Sequence, residues 1–453
     1  MTQPFTFGTA AAGAADVVSN GAPAIGVTRP APGRLPWDAL QVALMVLVLL
    51  QVWRVHELFP GLAIRGLPIL MTVVAVTLLL LGRDPRRRLT SLSHPIVRTA
   101  LVIVALASLS VPGSLYAGRS LNFLLKDYVR SVMLMVLVAA SVRGLADLRR
   151  YAWLQLAGVS AFSAVIVAGA QMGADGRLRD LAYYDANDLA MLIVCTLPLV
   201  LYLWRKPAHP WARVVLAATT VFLLVMLGKT GSRGGFLGFV AVGGYLLLRL
   251  RGVSTLQRIA TVALLATLLA SVASDQYFDR IETIFHPSKD YNWSGKSATG
   301  RMEIWKRGVG YMLDHPLLGV GVATFPVAEG TLAPEALELR RYGRSFHWSA
   351  PHNSFIQVGA ELGVGGLVLF VALLAAAFRT LGRLRRTPVP EIAVPAQIFT
   401  ASLVAFVVTA SFLSQAYSAY LYTLLGMILG LAKIVSLASP PMPARAPIPR
   451  LRG

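Results

Sequence analysis

Apolar stretches of ~17–25 residues, each long enough to cross a bilayer, recur twelve times along this 453-residue chain. The first six centre near Met45, Val74, Val104, Met135, Ser160 and Leu197, and the second six near Phe222, Gly243, Leu265, Phe370, Val404 and Leu425. Lys126, Asp127 and Arg130 crowd the start of the fourth. Short polar turns separate most of these stretches, and one long polar excursion, from about Asp275 to His352, interrupts the rhythm. The pattern predicts an all-α polytopic membrane protein of about twelve transmembrane helices with one long outer loop that carries helices of its own.

Residues 1–36 are rich in Ala, Gly and Pro, with Asp16, Arg29 and Arg34 as their charges. No charged region leads into an apolar one, so the expectation is a disordered cytoplasmic tail and not a signal peptide. The Pro- and Arg-rich residues 438–453 read the same way. Between the tails lie nine helices over 37–274, the loop over 275–352 and three more helices over 353–437.

Composition agrees with a membrane chain: 56% hydrophobic residues, 14% charged and a mean hydropathy of +0.63, against about 25% charged in soluble domains. The single Cys195 lies in an apolar run, which rules out internal disulfides and thiolate metal clusters. A net charge of +21 raises the question of nucleic acid. Its distribution answers otherwise. Basic residues gather in alternate short loops: Arg83, Arg86, Arg87, Arg88 and Arg98, then Arg143, Arg149 and Arg150, then Arg205, Lys206 and Arg213. The set continues with Arg249, Arg251 and Arg258, and with Arg379, Arg383, Arg385 and Arg386. This is a positive-inside signal that puts both termini in the cytoplasm, and it leaves attraction to anionic lipid headgroups as the role of the surplus.

The outer segment is different, with nine acidic and nine basic residues. Within it, Arg301–Leu313 spaces Ile304, Trp305, Val309 and Met312 as one amphipathic face, and Pro334 reads as the first turn of a second helix. Loops of this length with their own elements are usually functional.

Ionisable groups at the outer mouth are the candidates for chemistry. Lys229, Ser232 and Arg233 stand in the glycine-rich turn 228–235, which suits an anion; the plainer reading is a tight turn whose cations meet lipid phosphates. Arg301 opens the amphipathic helix, where a guanidinium and helix-terminal N–H groups suit a phosphate, or where it forms a surface ion pair. His352, between Pro351 and Asn353-Ser354, can accept a proton from a hydroxyl, or it simply packs at an interface. Asn353 and Ser354 suit a helix cap. His347, beside Trp348, is the weaker competitor. Asp185, Asn187 and Asp188 precede the sixth span, as caps or as contacts to sugar hydroxyls or arginines, with Arg177 and Arg179 adding positive potential nearby. No histidine pair has metal-ligand spacing backed by carboxylates, so no metal site is expected.

Together these residues resemble the O-antigen ligase/Wzy polymerase superfamily of bacterial membrane glycosyltransferases. His352-Asn353, nine residues and Gly363-Val364-Gly365-Gly366 are similar to its ligase-type pattern. Thr230–Gly235 looks like its Ser-Arg-Gly turn, and Gly300-Arg301, Trp305 and His315–Gly321 look like its large-loop signature. The resemblance covers about residues 38–435. It implies metal-independent, cofactor-free transfer on the periplasmic face of the inner membrane, from a glycan on undecaprenyl pyrophosphate. By the same resemblance Arg233 and Arg301 would hold the pyrophosphate and His352 would take the acceptor's proton, with inversion at the anomeric carbon. The ligase-type spacing favours lipid A-core as acceptor; a second lipid-linked repeat (polymerase) or a protein hydroxyl (protein O-oligosaccharyltransferase) are the alternatives. A lipid-linked sugar transporter is the rival class. It predicts broken mid-membrane helices and an internal repeat, and the sequence displays neither.

Overall fold

The computed structural model describes residues 35–58, 61, 64, 66–87, 90–169, 171–172, 178–179, 184–205, 209–250, 253–295 and 297–438. Most of both expected tails lies outside these residues, as do Arg88, Arg177, Lys206 and Arg251. Helices α1 (Ala39–Gln51), α2 (Val55–Leu58), α3 (Leu67–Leu81), α4 (Pro95–Ser110), α5 (Ala117–Phe123) and α6 (Val129–Ser141) come first. They are followed by α7 (Leu145–Gly169), α8 (Ala186–Trp204), α9 (Trp211–Thr230), α10 (Arg233–Arg249) and α11 (Thr255–Val272). The polar excursion folds as α12 (Asp275–Glu282), α13 (Arg301–Asp314), α14 (Phe325–Thr331) and α15 (Pro334–Arg341). Last come α16 (Ser354–Leu384), α17 (Pro390–Ala410) and α18 (Ala419–Ala438). Among the described residues the one strand pairing is a two-residue antiparallel pair, Gln171–Met172 with Leu178–Arg179.

Each of the twelve expected centres falls inside one of these helices. Seven helices, α7, α8, α9, α11, α16, α17 and α18, are long and apolar enough to cross a membrane, and α1, α3 and α4 are shorter apolar helices. At ~1.5 Å per residue the 13 residues of α1 span less than a ~30 Å hydrocarbon core. A π-turn over Leu124–Tyr128 joins α5 to α6 and lengthens that rod. The architecture is that of an all-helical, polytopic membrane protein.

Burial ranks the helices. Nearly all of α8 is buried, packed on α7, α9, α10 and α17, whereas α11 buries only Leu269. A peripheral apolar helix is what lipid tolerates, since tails are as apolar as leucine. α18 packs along α6, and α4 and α13 pack on α16. The 275–352 stretch adds a small core of Ile304, Tyr311, Val320, Phe325 and Ala328 against Ala360 of α16. Its amphipathic helix faces inward through Ile304, Gly308 and Tyr311 and leaves Val309 exposed. Of the expected apolar face, Ile304 is buried, Trp305 packs on Trp293 and Phe412, and Met312 lies beside Gly359, while the close approach at Gly308 turns the seam away from Val309.

Two sequence signatures meet in a backbone clasp. α16 bends at Gly363, whose φ of 72° is left-handed. Pro316–Gly321 docks there: Val320 N–H donates to Ala360 O (2.9 Å), Gly321 N–H to Glu361 O (3.1 Å), and Val364 N–H to Pro316 O (2.9 Å). A Cβ at Gly363 would lie 2.3 Å from the Pro316 carbonyl oxygen, so only glycine fits. The clasp fixes the outer stretch to the helix that His352 introduces.

Candidate functional site

At one end of the bundle four helices begin around a cavity of ≈ 400 Å³. Asp185 and Asn187 come from the start of α8, Arg233 and Gly234 from α10, Thr299 and Arg301 from α13, and His352 from the approach to α16. Arg280 of α12, Tyr291, Asn292, His347 and Ser349 complete much of the wall. Helix N-termini present N–H groups and positive dipole ends, and three arginines add full charges, with Asp185 the one carboxylate among the described lining residues. The chemistry of such a cavity suits anions.

Local chemistry explains how each side chain arrives. Gly231, at φ 59°, ends α9 and lets the chain turn straight into α10. Ser232 caps α10 by accepting from Gly235 N–H (3.1 Å). It is buried and acts as a cap. Arg233 follows directly, and its Nη1 donates to Thr283 Oγ1 (2.7 Å) and pairs with the buried Asp290. Lys229 is exposed and is not among the lining residues. Arg301 begins α13 after Gly300, and its Nη1 donates to the Phe412 carbonyl (3.2 Å).

His352 sits in left-handed backbone at φ 44°, rare for a residue with a side chain. Such a conformation costs about 1–3 kcal/mol and clusters at functional sites. The surroundings impose it. His352 N–H donates to Ser414 Oγ (3.0 Å), Ser354 Oγ–H donates to Leu413 O (2.6 Å), and Trp305 Nε1–H donates to Pro351 O (2.8 Å). Asn353 caps α16 by accepting from Phe355 and Ile356 N–H at 2.9 and 3.1 Å. Its side chain is therefore spent on structure. Burial lowers the His352 pKa to about 4, the nearby Arg301 cation pushes the same way, and Asp185 opposes. The imidazole is accordingly neutral at neutral pH and able to accept a proton.

Asp185 and Asp188 form a reciprocal capping box on α8. Asp188 also accepts from Gln415 Nε2 (2.8 Å), which ties α8 to the same turn that holds His352. Asn187 lines the cavity and Asp188 does not. Sequence reasoning overlooked Arg280 and Asp290 entirely. Nothing local marks them among eighteen charges of the outer stretch; only the folding of α12 onto α10 brings them in. His347 shares the cavity, 3.3 Å from Ser349 Oγ. Among the described residues no three His, Cys, Asp or Glu side chains converge as metal ligands do.

These features define a helical membrane protein with a cationic cavity and a neutral histidine at one end. Residues 218–371 match the O-antigen ligase family, and Arg233, Arg280, Arg301, His347 and His352 all fall in that stretch. A protein of Rickettsia conorii named as a candidate polysaccharide ligase is 27% identical over 157 residues, 34% of this chain and 36% of its own length. A like-named protein of Rickettsia prowazekii is 29% identical over the same shares, and one of Rickettsia felis is 30% identical over 158 residues. The chain thus matches about a third of the length of these relatives. The likenesses relate the 218–371 stretch to the O-antigen ligase family.

Proposed function

We propose that this protein is an O-antigen ligase. It transfers a glycan from undecaprenyl pyrophosphate to a sugar hydroxyl of lipid A-core, on the periplasmic face of the bacterial inner membrane. In this reading both termini are cytoplasmic, and twelve segments cross the membrane, the short helices such as α1 together with their flanking residues. Residues 37–274 and 353–437 form the membrane domain, and 275–352 is the periplasmic loop. One observation carries the chemistry: Arg233, Arg280, Arg301 and His352 share one cavity at the starts of four helices.

The arginines and helix N-termini take the donor's pyrophosphate, and the acceptor hydroxyl lies against His352. The hydroxyl oxygen attacks the anomeric carbon and its proton passes to the imidazole. The bond from that carbon to the phosphate oxygen breaks with inversion, and undecaprenyl pyrophosphate leaves with the extra negative charge. Arg233 and Arg301 stabilise that charge where it develops. A histidine with a pKa of about 4 is a weak base. The bound pyrophosphate counters the field of Arg301 and so raises the imidazole toward the range where a base works best. Neither cofactor nor nucleotide enters this scheme. Asn187 is positioned to meet sugar or phosphate groups, while Lys229, Ser232, Asn353 and Asp188 support from outside the cavity.

The test is reconstitution of purified protein with lipid-linked glycan and lipid A-core as sole acceptor, without added metal or nucleotide. Glycan on lipid A-core is the expected result. Longer lipid-linked chains would make it a polymerase; transfer only to an added protein would make it a protein O-oligosaccharyltransferase; donor crossing the bilayer unchanged would make it a transporter.

A further inference from the structure

A second cavity, of ≈ 490 Å³, has Ser414 and Gln415 in its wall. These two residues also hold the catalytic side, Ser414 through His352 N–H and Gln415 through Asp188. The cavity gathers Arg54, Lys126 and Arg130 against Glu57 and Asp127, with Gln51, Gln357 and several serines among them. Buried Gln51 Nε2, His56 Nδ1, Arg130 Nε and Gln357 Oε1 find no hydrogen bond among the described residues, and all four residues line this cavity. Buried polar atoms in native proteins are normally satisfied, so such a cluster awaits a partner rich in donors and acceptors. Arg54 is also left-handed, at φ 49°, as are His352 and Ala323 among the described non-glycine residues.

The lining identifies the partner's chemistry. Donors mixed with acceptors, beside the rings of Phe123, Tyr184 and Tyr417, suit sugar hydroxyls and sugar faces. Among the described lining residues, three cations against two carboxylates suit one more negative group, such as a phosphate. One rim is Ile69 of α3, which is 53% exposed and continues into exposed Leu70 and Val73. That rim is apolar and exposed, as suits a surface against acyl chains. We propose that this cavity binds the phosphorylated sugar headgroup of the acceptor glycolipid, whose acyl chains lie along α3. The donor pyrophosphate and the acceptor's headgroup then occupy separate cavities linked through the Ser414–Gln415 turn, and the acceptor's outer sugars reach past that turn to His352. Calling the ligand an acceptor rests on the function proposed above; the headgroup site itself does not.

The experiment is equilibrium binding, without turnover, to the full chain in nanodiscs. The probes are lipid A, enzymatically dephosphorylated lipid A and undecaprenyl pyrophosphate. Lipid A is expected to bind at least ten-fold more tightly than its dephosphorylated form. The Lys126→Gln/Arg130→Gln double variant is expected to abolish that difference and to leave undecaprenyl pyrophosphate binding unchanged. Arg301→Gln is expected to do the converse. Equal binding of both lipid A forms to the unaltered protein, which needs no variant, overturns the proposal. So does lipid A affinity that follows Arg301 instead, or donor affinity lost in the double variant. Because no transfer is measured, an inactive reconstitution with intact lipid A binding contradicts only the enzymatic reading.

Discussion

The bundle carries charge at both ends, and the two ends handle it in opposite ways. α1 connects them: its cap Asp38 pairs with Arg87 and Arg143, and its last residue, Gln51, lines the second cavity. At the Arg143 end the fully buried Asp147 accepts from Gln41 Nε2 (2.6 Å), Arg150 Nη1 (2.9 Å), and the Nε (2.9 Å) and backbone N–H (3.0 Å) of Arg143. Arg143 also donates to the Pro36 carbonyl (2.9 Å). Those charges are closed by the protein's own groups. At the His352 end Arg233, Arg280 and Arg301 also have protein partners, but they and four helix starts line an open cavity, and a histidine is held neutral beside them. A charge enclosed by protein supports the fold; charges gathered around a cavity are, on the function proposed above, placed for a ligand.

Replacement at each end breaks or sharpens that contrast. Asp147→Ala leaves Arg143 buried without its main partner, so about 3–5 kcal/mol of stability is lost. Thermal unfolding in detergent should show this, while transfer per folded molecule stays at the wild-type level. Arg301→Gln does the reverse: transfer falls about 10²–10³-fold with little change in unfolding temperature. Arg233→Gln should lower both quantities, because it also leaves Asp290 buried without its cation. Gly363→Ala falls between the two. It forces a Cβ against Pro316 in left-handed backbone, costs about 1–3 kcal/mol, and loosens 275–352, read as faster proteolytic nicking there.

The smallest effect is electrostatic. The His352 pKa is lowered by burial first and by Arg301 second. Neutralising Arg301 removes one repulsion from the imidazolium, so the histidine titrates at higher pH, from about 4 back toward 6.5. Histidine NMR in Arg301→Gln checks the sign. A titration that stays put or moves down would show that Arg301 does not act on His352.

The helices were legible because their pattern is local. Apolar runs placed twelve centres that all fall on helices, and Pro334 announced its helix by occupying the first turn. His352, Arg233 and Arg301 stood out because each sits at a helix start, where sequence signals are strongest. Partnerships across the chain were not legible. Arg233 meets Asp290 across 57 residues, and Gln415 meets Asp188 across 227. Lys126, Asp127 and Arg130 looked like a flaw in a span until α2 and the 414–419 turn closed a cavity over them. Likewise Gly363–Gly366 and His315–Gly321 read as separate motifs, and only folding shows them as two halves of one clasp. Arg143 and Arg150 carried the sign of a topology signal, while the structure also uses them to bury Asp147.

The most direct test of the central claim is His352→Ala in the reconstituted system, with transfer and donor binding measured on the same preparation. The account predicts that transfer falls by about 10²–10⁴-fold, the usual share of a general base, while undecaprenyl pyrophosphate binds as in wild type. Near-normal transfer by the alanine variant would contradict the assignment of His352 as the base and would turn attention to His347 in the same cavity.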